Sequence, residues 1–273
     1  MKPSPDFNFY TGEVFSRSPL FGGDINRVEK WVCEKGEFAV KSNETAPPDF
    51  FEKEVEGLSL LRKSNLPVPE VITYSQKSIL LKYYQPARAL PENAGRMLAN
   101  LHSQEANEFG LQTDNFIGSL VQKNGLHKQW GEFYRDHRIT FMLDLYRKRS
   151  LVSKTDELIW NALLEKIPEL TADAKSSLLH GDLWSGNLMY CESGPLFIDP
   201  AVYYGDYRVE LAFTELFGGF PESFYRGYKE VKPIDEGYEK LKSLYHVYPL
   251  LVHANLFGGG YYTSALQKAM QYV

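Results

Sequence analysis

The sequence predicts an α+β chain of two lobes, an N-terminal antiparallel sheet with one helix followed by a mostly helical C-terminal lobe. Three observations carry this. Short strand-like runs separated by turn residues fill the chain as far as Tyr83, interrupted by one stretch of helical period, Phe51 to Leu61. The period changes at Tyr84-Gln85-Pro86, and from Glu92 onward most apolar spacing is helical. At 273 residues, 43% of them apolar, the chain can bury a sizeable core and suits two subdomains. The expected boundaries are 1–83 for the N-terminal lobe and 84–273 for the C-terminal lobe.

In the first lobe, strand-like Gly12 to Ser16 and Val28 to Val32 flank Phe21-Gly22-Gly23-Asp24-Ile25-Asn26. A glycine pair at a hairpin tip lets backbone N–H groups approach phosphates, although most such pairs are ordinary turns. Glu37 to Lys41 reads as a strand with Phe38 and Val40 on one face and Ala39 and Lys41 on the other. A small residue beside a lysine leaves room for an adenine ring while the lysine reaches phosphates. Pro47-Pro48-Asp49 starts a helix whose stripe is Phe51, Val55, Leu58 and Leu61, with Glu54 inside it. A carboxylate on a buried face needs a cation, and Lys41 is the candidate; the alternative is a glutamate reaching out from the stripe's edge. Asn65, Pro67 and Pro69 end that helix. Val71 to Tyr74 and Ile79 to Tyr83 form a hairpin, and Leu81, Lys82 and Tyr83 are the expected hinge offering backbone groups to an adenine edge.

In the second lobe, Ala94 to His102 is a short helix, with His102 read as a helix C-terminal residue. Asn107 to Lys128 reads as a long polar connection. Trp130 to Arg149 reads as one helix with Trp130, Tyr134, His137, Phe141 and Leu145 inward, and Asp156 to Ile167 as another. Beyond Asp199 a polar loop enters a helix ending at Gly218-Gly219; Asp206 there is either a substrate contact or a helix cap, and Glu210 is read as structural. Asp235 to Leu256 and Tyr261 to Tyr272 are packing helices.

The chemistry lies in SSLLHGDLWSGNLMYCESGPLFID, which closes at Asp199. His180-Gly181-Asp182 is followed by Asn187 five residues after the aspartate and by Asp199 twelve later. H-x-D-x4-N and a second Asp is the layout of a phosphoryl-transfer catalytic loop. Moving a phosphoryl group from ATP asks for positioning and neutralised charge rather than covalent help. Asp182 can accept the acceptor hydroxyl's proton, and Asn187 and Asp199 are oxygen donors of the kind Mg2+ prefers. Two apolar runs, Leu188 to Tyr190 and Leu196 to Ile198, joined by the turn residues Glu192 to Pro195, predict a hairpin that returns Asp199 beside Asn187.

Charge and composition exclude other classes. A net charge of −5 lacks the basic field a nucleic-acid or anionic-membrane surface requires. Two cysteines, Cys33 and Cys191, are too few for a disulfide framework or a zinc cluster. No signal-peptide core and no apolar run of about 18 residues is present, which fits a cytoplasmic protein.

LLHGDLWSGNL, IDPAVYYGDYRVELAFTELFGGF, LFGGGY, FFEKEVEGL and WGEFYRDHRI together resemble the fructosamine (ketosamine) kinase family of the protein-kinase-like fold, from about Phe15 to the C-terminus. Trp184 favours that family over choline kinases and aminoglycoside phosphotransferases, many of which carry a histidine there. The resemblance implies ATP- and Mg2+-dependent phosphorylation of a sugar hydroxyl, usually O3, on ketoamines, whose phosphorylated adduct breaks down and frees the amine. By position it makes Asp182 the base, Asn187 and Asp199 the metal ligands, Lys41 and Glu54 the phosphate-orienting pair, Gly22 and Gly23 the glycine loop and Leu81 to Tyr83 the hinge. Trp184, Tyr203 and Asp206 are the candidate substrate residues. The sequence departs from the family at Asp206, where a histidine is usual, and at Asp24, where many members carry cysteine. A kinase of another small alcohol and a pseudokinase binding module are the rival readings.

Overall fold

The computed structural model describes residues 7–20 and 26–273. By packing, the chain divides into two units: unit 1 takes the chain up to Leu90 together with Gly186–Pro200, and unit 2 takes Pro91–Ser185 with Ala201–Val273. Gly22, Gly23 and Asp24 lie outside the described residues.

In unit 1 one helical turn, α1 (Asn8–Thr11), leads to β1 (Val14–Pro19), β2 (Arg27–Cys33) and β3 (Gly36–Ser42); α2 (Phe50–Lys63), β4 (Val71–Ser75) and β5 (Ser78–Lys82) follow. The strands make one antiparallel sheet in the order β1-β2-β3-β5-β4. Alternation along β3 sends Phe38 and Val40 into a cluster with Phe7, Trp31, Cys33 and Leu80. Burying a large apolar side chain of this kind contributes roughly 1.5–3 kcal/mol. The buried face of α2 is Phe51, Glu54, Leu58 and Leu61. Val55, expected on that stripe, is half-buried, because Glu54 holds the inward position. The helix ends in a Schellman closure: Asn65 takes a left-handed φ of 64°, with Asn65 N–H on the Arg62 carbonyl and Leu66 N–H on that of Leu61.

Unit 2 begins with α3 (Pro91–His102). Five short strands follow: β6 (Glu105–Ala106), β7 (Phe109–Leu111), β8 (Asn115–Ile117), β9 (Leu120–Gln122) and β10 (Gly125–His127). The segment expected as a polar connection is therefore built of three-residue strands, too short to show a period in sequence. The expected single helix from Trp130 is helical but not uniform. It runs as α4 (Trp130–Phe133), a π-type stretch Tyr134–Thr140 and α5 (Phe141–Arg147). A π stretch bonds i to i+5 and so rotates the faces that follow it. Buried side chains accordingly pass from Trp130 and Tyr134 to Arg138 and Ile139 and on to Met142 and Leu143, leaving Phe141 and Leu145 half-buried. α6 (Lys154–Leu170) starts at Ser153, whose hydroxyl accepts the Asp156 N–H at 3.1 Å, a cap that contributes about 1 kcal/mol.

β11 (Ser176–Leu179), buried at every position, leads into the His180-Gly181-Asp182 segment. The hairpin β12 (Leu188–Cys191) and β13 (Gly194–Phe197) belongs to unit 1, tied there by Phe197 N–H on the Pro67 carbonyl and Ala87 N–H on the Tyr190 carbonyl, both at 2.9 Å. The compact unit thus differs from the expected lobe 1–83 by residues 84–90 and this hairpin. Back in unit 2 come β14 (Tyr203–Asp206), α7 (Tyr207–Thr214), α8 (Glu222–Val231), α9 (Tyr238–Phe257) and α10 (Tyr261–Ala269). Its sheet runs β10-β7-β14-β11-β6. α8 crosses α3 so closely that a Cβ on Gly95 would lie 2.0 Å from the Phe224 carbonyl oxygen. Among the described residues, no helix is long and apolar enough to cross a membrane.

Candidate active site

In unit 1, Lys41 leaves β3 beneath α2 and is 5% exposed. Its Nζ donates to Glu54 Oε2 at 2.8 Å and to Asp199 Oδ1 at 3.0 Å. Burial alone would lower the Lys41 pKa, but the carboxylates of Asp199 and Glu54 outweigh it and hold the ammonium well above its ordinary range. Burial pushes Glu54 up while Lys41 draws it back. The cation demanded by a carboxylate on the inner face of α2 is therefore Lys41. Asp199 follows the hairpin with φ of 55°, an uncommon left-handed conformation for a non-glycine residue. Ile198 N–H donates to the Asn187 carbonyl at 3.0 Å, which continues the hairpin pairing and returns Asp199 to the Asn187 end. The Asp199 side chain keeps 39% exposure, whereas Lys41 and Glu54 are enclosed. Lys82 and Tyr83 donate their backbone N–H groups to the Glu70 and Glu37 carbonyls, so the sheet, not a nucleotide, holds the donors of these two expected hinge residues.

In unit 2, the catalytic segment leaves β11 through fully buried His180 and through Gly181 at φ 85°. Only glycine fits there, since a Cβ would lie 1.9 Å from the Ala201 carbonyl oxygen. Asp182 comes next. Glu210, 2% exposed on α7, holds this turn from behind, accepting the His180 N–H at 3.0 Å and the Gly181 N–H at 2.6 Å. Its Oε2 also meets His102 Nε2 at 2.9 Å, and His102 Nδ1 meets the Tyr228 hydroxyl at 2.9 Å. With Nε2–H donating to Glu210, Nδ1 accepts from Tyr228, and both ring nitrogens are satisfied. Burial would raise the Glu210 carboxyl, but the His102 hydrogen bond, with His180 and the Gly181 N–H, holds it below its usual range.

Of the substrate candidates, Trp184 is 38% exposed on the catalytic segment. Tyr203 is buried, lying parallel to Trp130 and beneath the Arg138 guanidinium at 4.0 Å. Asp206 presents no surface: it caps α7 through the Arg208 N–H at 3.0 Å, pairs with the Arg208 guanidinium at 2.7 Å and accepts the Tyr245 hydroxyl at 2.6 Å. The cap reading of Asp206 therefore describes its place in the fold. Glu210 and His102 were not visible as loop-holding residues in the sequence. In the structure every residue of α7 is buried, and a carboxylate on such a helix must be paired.

A lysine fixed by a helix glutamate, an exposed aspartate after a hairpin and an H-x-D-x4-N segment together define a protein-kinase-like phosphotransferase. The same fold appears in choline kinase LicA of Streptococcus pneumoniae, with a TM-score of 0.64 at 18% identity over 95% of this chain and 93% of that one. The fructosamine kinase family model matches residues 9–273. A probable ketoamine kinase of Vibrio parahaemolyticus is 39% identical over 93% of this chain and 91% of its own. The crystal structure of a candidate fructosamine-3-kinase from Thermobifida fusca superposes with a TM-score of 0.86 at 30% identity, covering 96% and 95% of the two chains. The chain belongs to the fructosamine kinase family, and it is an ATP-dependent kinase.

Proposed function

We propose that this kinase transfers the γ-phosphoryl group of ATP to a sugar hydroxyl, O3, of a small or protein-bound ketoamine such as a fructosamine or ribulosamine. The phosphorylated adduct then breaks down and frees the amine, a repair of glycation in the cytoplasm. Asp182 takes the proton from the acceptor hydroxyl, a contribution of roughly 10²–10⁴-fold for a general base. The Glu210–His102 relay fixes the backbone turn that carries it. Lys41, oriented by Glu54, holds the ATP phosphates, with Gly22 and Gly23 covering them and Leu81 to Tyr83 beside the adenine. Trp184 lines the acceptor.

Asn187 and Asp199 would hold Mg2+, which keeps several waters and takes one or two carboxylates plus substrate phosphates. The residues fit it in kind: Asp199 keeps 39% of its side chain exposed while Lys41 engages Oδ1, and the Ile198 N–H on the Asn187 carbonyl puts the two residues at one end of the hairpin. Bound there, the cation would neutralise phosphate charge. The observation that carries this reading is the bond pair from Lys41 to Glu54 and Asp199.

Turnover on fructosyl- and ribulosyl-lysine, set beside choline and an aminoglycoside, tests the acceptor, with NMR locating the phosphate. Ketoamine turnover is expected, and Asp182→Asn should keep ATP affinity while losing turnover by about 10²–10⁴-fold. Turnover of the simple alcohols alone, or an unimpaired Asp182→Asn enzyme, would remove the proposal.

A further inference from the structure

One buried cation in unit 2 has no part in the chemistry described so far. Arg138, in the π-type stretch, is fully buried, and among the described residues no carboxylate pairs with it. Its guanidinium stacks over Tyr203 at 4.0 Å and Phe133 at 4.5 Å. Nη1 donates to the Lys123 carbonyl and Nη2 to Asn124 Oδ1 at 2.9 Å, while Nε finds no acceptor. A buried charge left without a counter-ion and with one donor unmet is costly and persists only where other contacts over-determine it.

Those contacts lead to the catalytic segment. Asn124 Nδ2 donates to Asn115 Oδ1 at 2.9 Å, and Gln122 Nε2 donates to the same oxygen at 2.9 Å. Asn115 Nδ2 then donates to the Val202 carbonyl and Gln122 Nε2 to the Ala201 carbonyl, each at 2.9 Å. Tyr248 of α9 closes the network with its hydroxyl on Gln122 Oε1 at 2.8 Å. Ala201 is the residue against which the catalytic turn is seated: its N–H donates to the His180 carbonyl at 2.9 Å, and its carbonyl sits where a Gly181 Cβ would be.

We propose that Arg138 is a positioning residue for phosphoryl transfer, its two-pronged guanidinium locking the Asn124–Asn115–Gln122 amides that clamp Ala201 and Val202 beneath the His180-Gly181 turn. Glu210 holds the amide side of that turn, and the Arg138 network holds its other support. This goes beyond the base assignment but rests on it, because the turn being mounted is the one that carries Asp182. The π-type stretch has a purpose on this view, since it swings position 138 inward where a regular helix would present another side chain. The fork matters more than the charge: three acceptors and three ring faces are met at once by a planar guanidinium, not by an ammonium.

The test compares Arg138→Met and Arg138→Lys with the parent enzyme by steady-state kinetics on the ketoamine, Mg-ATP titration calorimetry and hydrogen exchange. The expected result is a kcat loss of about 100-fold for Arg138→Met, as for displacement of reacting groups by an ångström, with Mg-ATP affinity held. Exchange should speed up in residues 178–185 and 201–206 while α8 keeps its protection, which a general loss of stability would not produce. Arg138→Lys should also lose kcat by about 10-fold or more. Should Arg138→Met fail to fold, Gln122→Met removes the Ala201 clamp and should give the same local exchange and the same kcat loss. Unchanged kcat in the folded variants, exchange raised evenly across unit 2, or full activity in Arg138→Lys would each overturn the proposal. The base assignment fails separately, through Asp182→Asn.

Discussion

Lys41 in unit 1 and Arg138 in unit 2 are both enclosed cations, at 5% and 0% exposure, and they are neutralised in opposite ways. Lys41 meets two carboxylates, one of them Asp199 with an exposed side chain. Arg138 meets three neutral oxygens and three ring faces. A cation balanced by an anion that still reaches solvent can trade that partner for a phosphate when a nucleotide arrives. A cation balanced by fixed dipoles has nothing to trade and serves to fix geometry. On the roles proposed above, the contrast separates groups that handle ligands from groups that hold backbone, and it can be broken at several points.

The largest expected effect is at Glu210. Glu210→Ala strips His102 and two backbone N–H groups of their acceptor, and each buried donor left unmet costs about 1–3 kcal/mol; urea unfolding measures it. A loss under about 1 kcal/mol would show that unit 2 does not depend on that carboxylate to hold its catalytic turn. Next comes His246, a further group of unit 2, whose ring bonds no carboxylate among the described residues. Its Nε2 bonds the Ala212 carbonyl at 2.8 Å, its Nδ1 is buried without a partner, and burial pulls its pKa down to about 4. Above about pH 6.5 the ring is neutral folded or unfolded, so it adds no pH dependence. As pH falls from there toward 4, the unfolded chain takes up a proton the folded one refuses. Stability is then lost, on the order of 3 kcal/mol in all. Thermal unfolding across that window should show the decline, and His246→Gln should flatten it.

Lys41→Met tests the ligand-handling side. It should lower kcat/KM for ATP by about 10²-fold, the loss expected for one electrostatic donor, and, because it leaves Glu54 enclosed without its cation, it should lower the unfolding midpoint as well. A large loss of stability with little kinetic effect would make Lys41 a structural cation like Arg138. The smallest effect is at Asp206. Asp206→Asn keeps the α7 cap and the Tyr245 bond but loses the charge facing Arg208, a cost of about 1–2 kcal/mol. The ketoamine KM should not move, and a raised KM would return Asp206 to the acceptor site.

The parts of this molecule that sequence reveals are those whose logic is local. Asp182, Asn187 and Asp199 lie within eighteen residues, and the turn residues between the last two predict the hairpin that is found. Lys41 and Glu54 are thirteen apart and were tied by a face argument, an inward carboxylate requiring a cation. The Glu210 relay spans 108 residues to His102 and 126 from there to Tyr228, and no periodicity encodes such a distance. Arg138 was hidden for another reason. Helical period assumes one turn length, and the π-type stretch from Tyr134 resets the inward face within a segment whose aromatics read as a single stripe. The three-residue strands between Phe109 and His127 were missed because alternation needs more residues than they possess.

The passage of the chain into unit 1 at Gly186 and out again after Pro200 bears on how the protein can be made and cut. A fragment ending at Leu90 would carry the sheet and α2 yet lack the hairpin that meets Pro67 and Ala87. During synthesis the N-terminal segment must therefore wait, incomplete, until the ribosome has passed Pro200, and the unit that carries Lys41 and Asp199 cannot be grafted elsewhere as one contiguous piece.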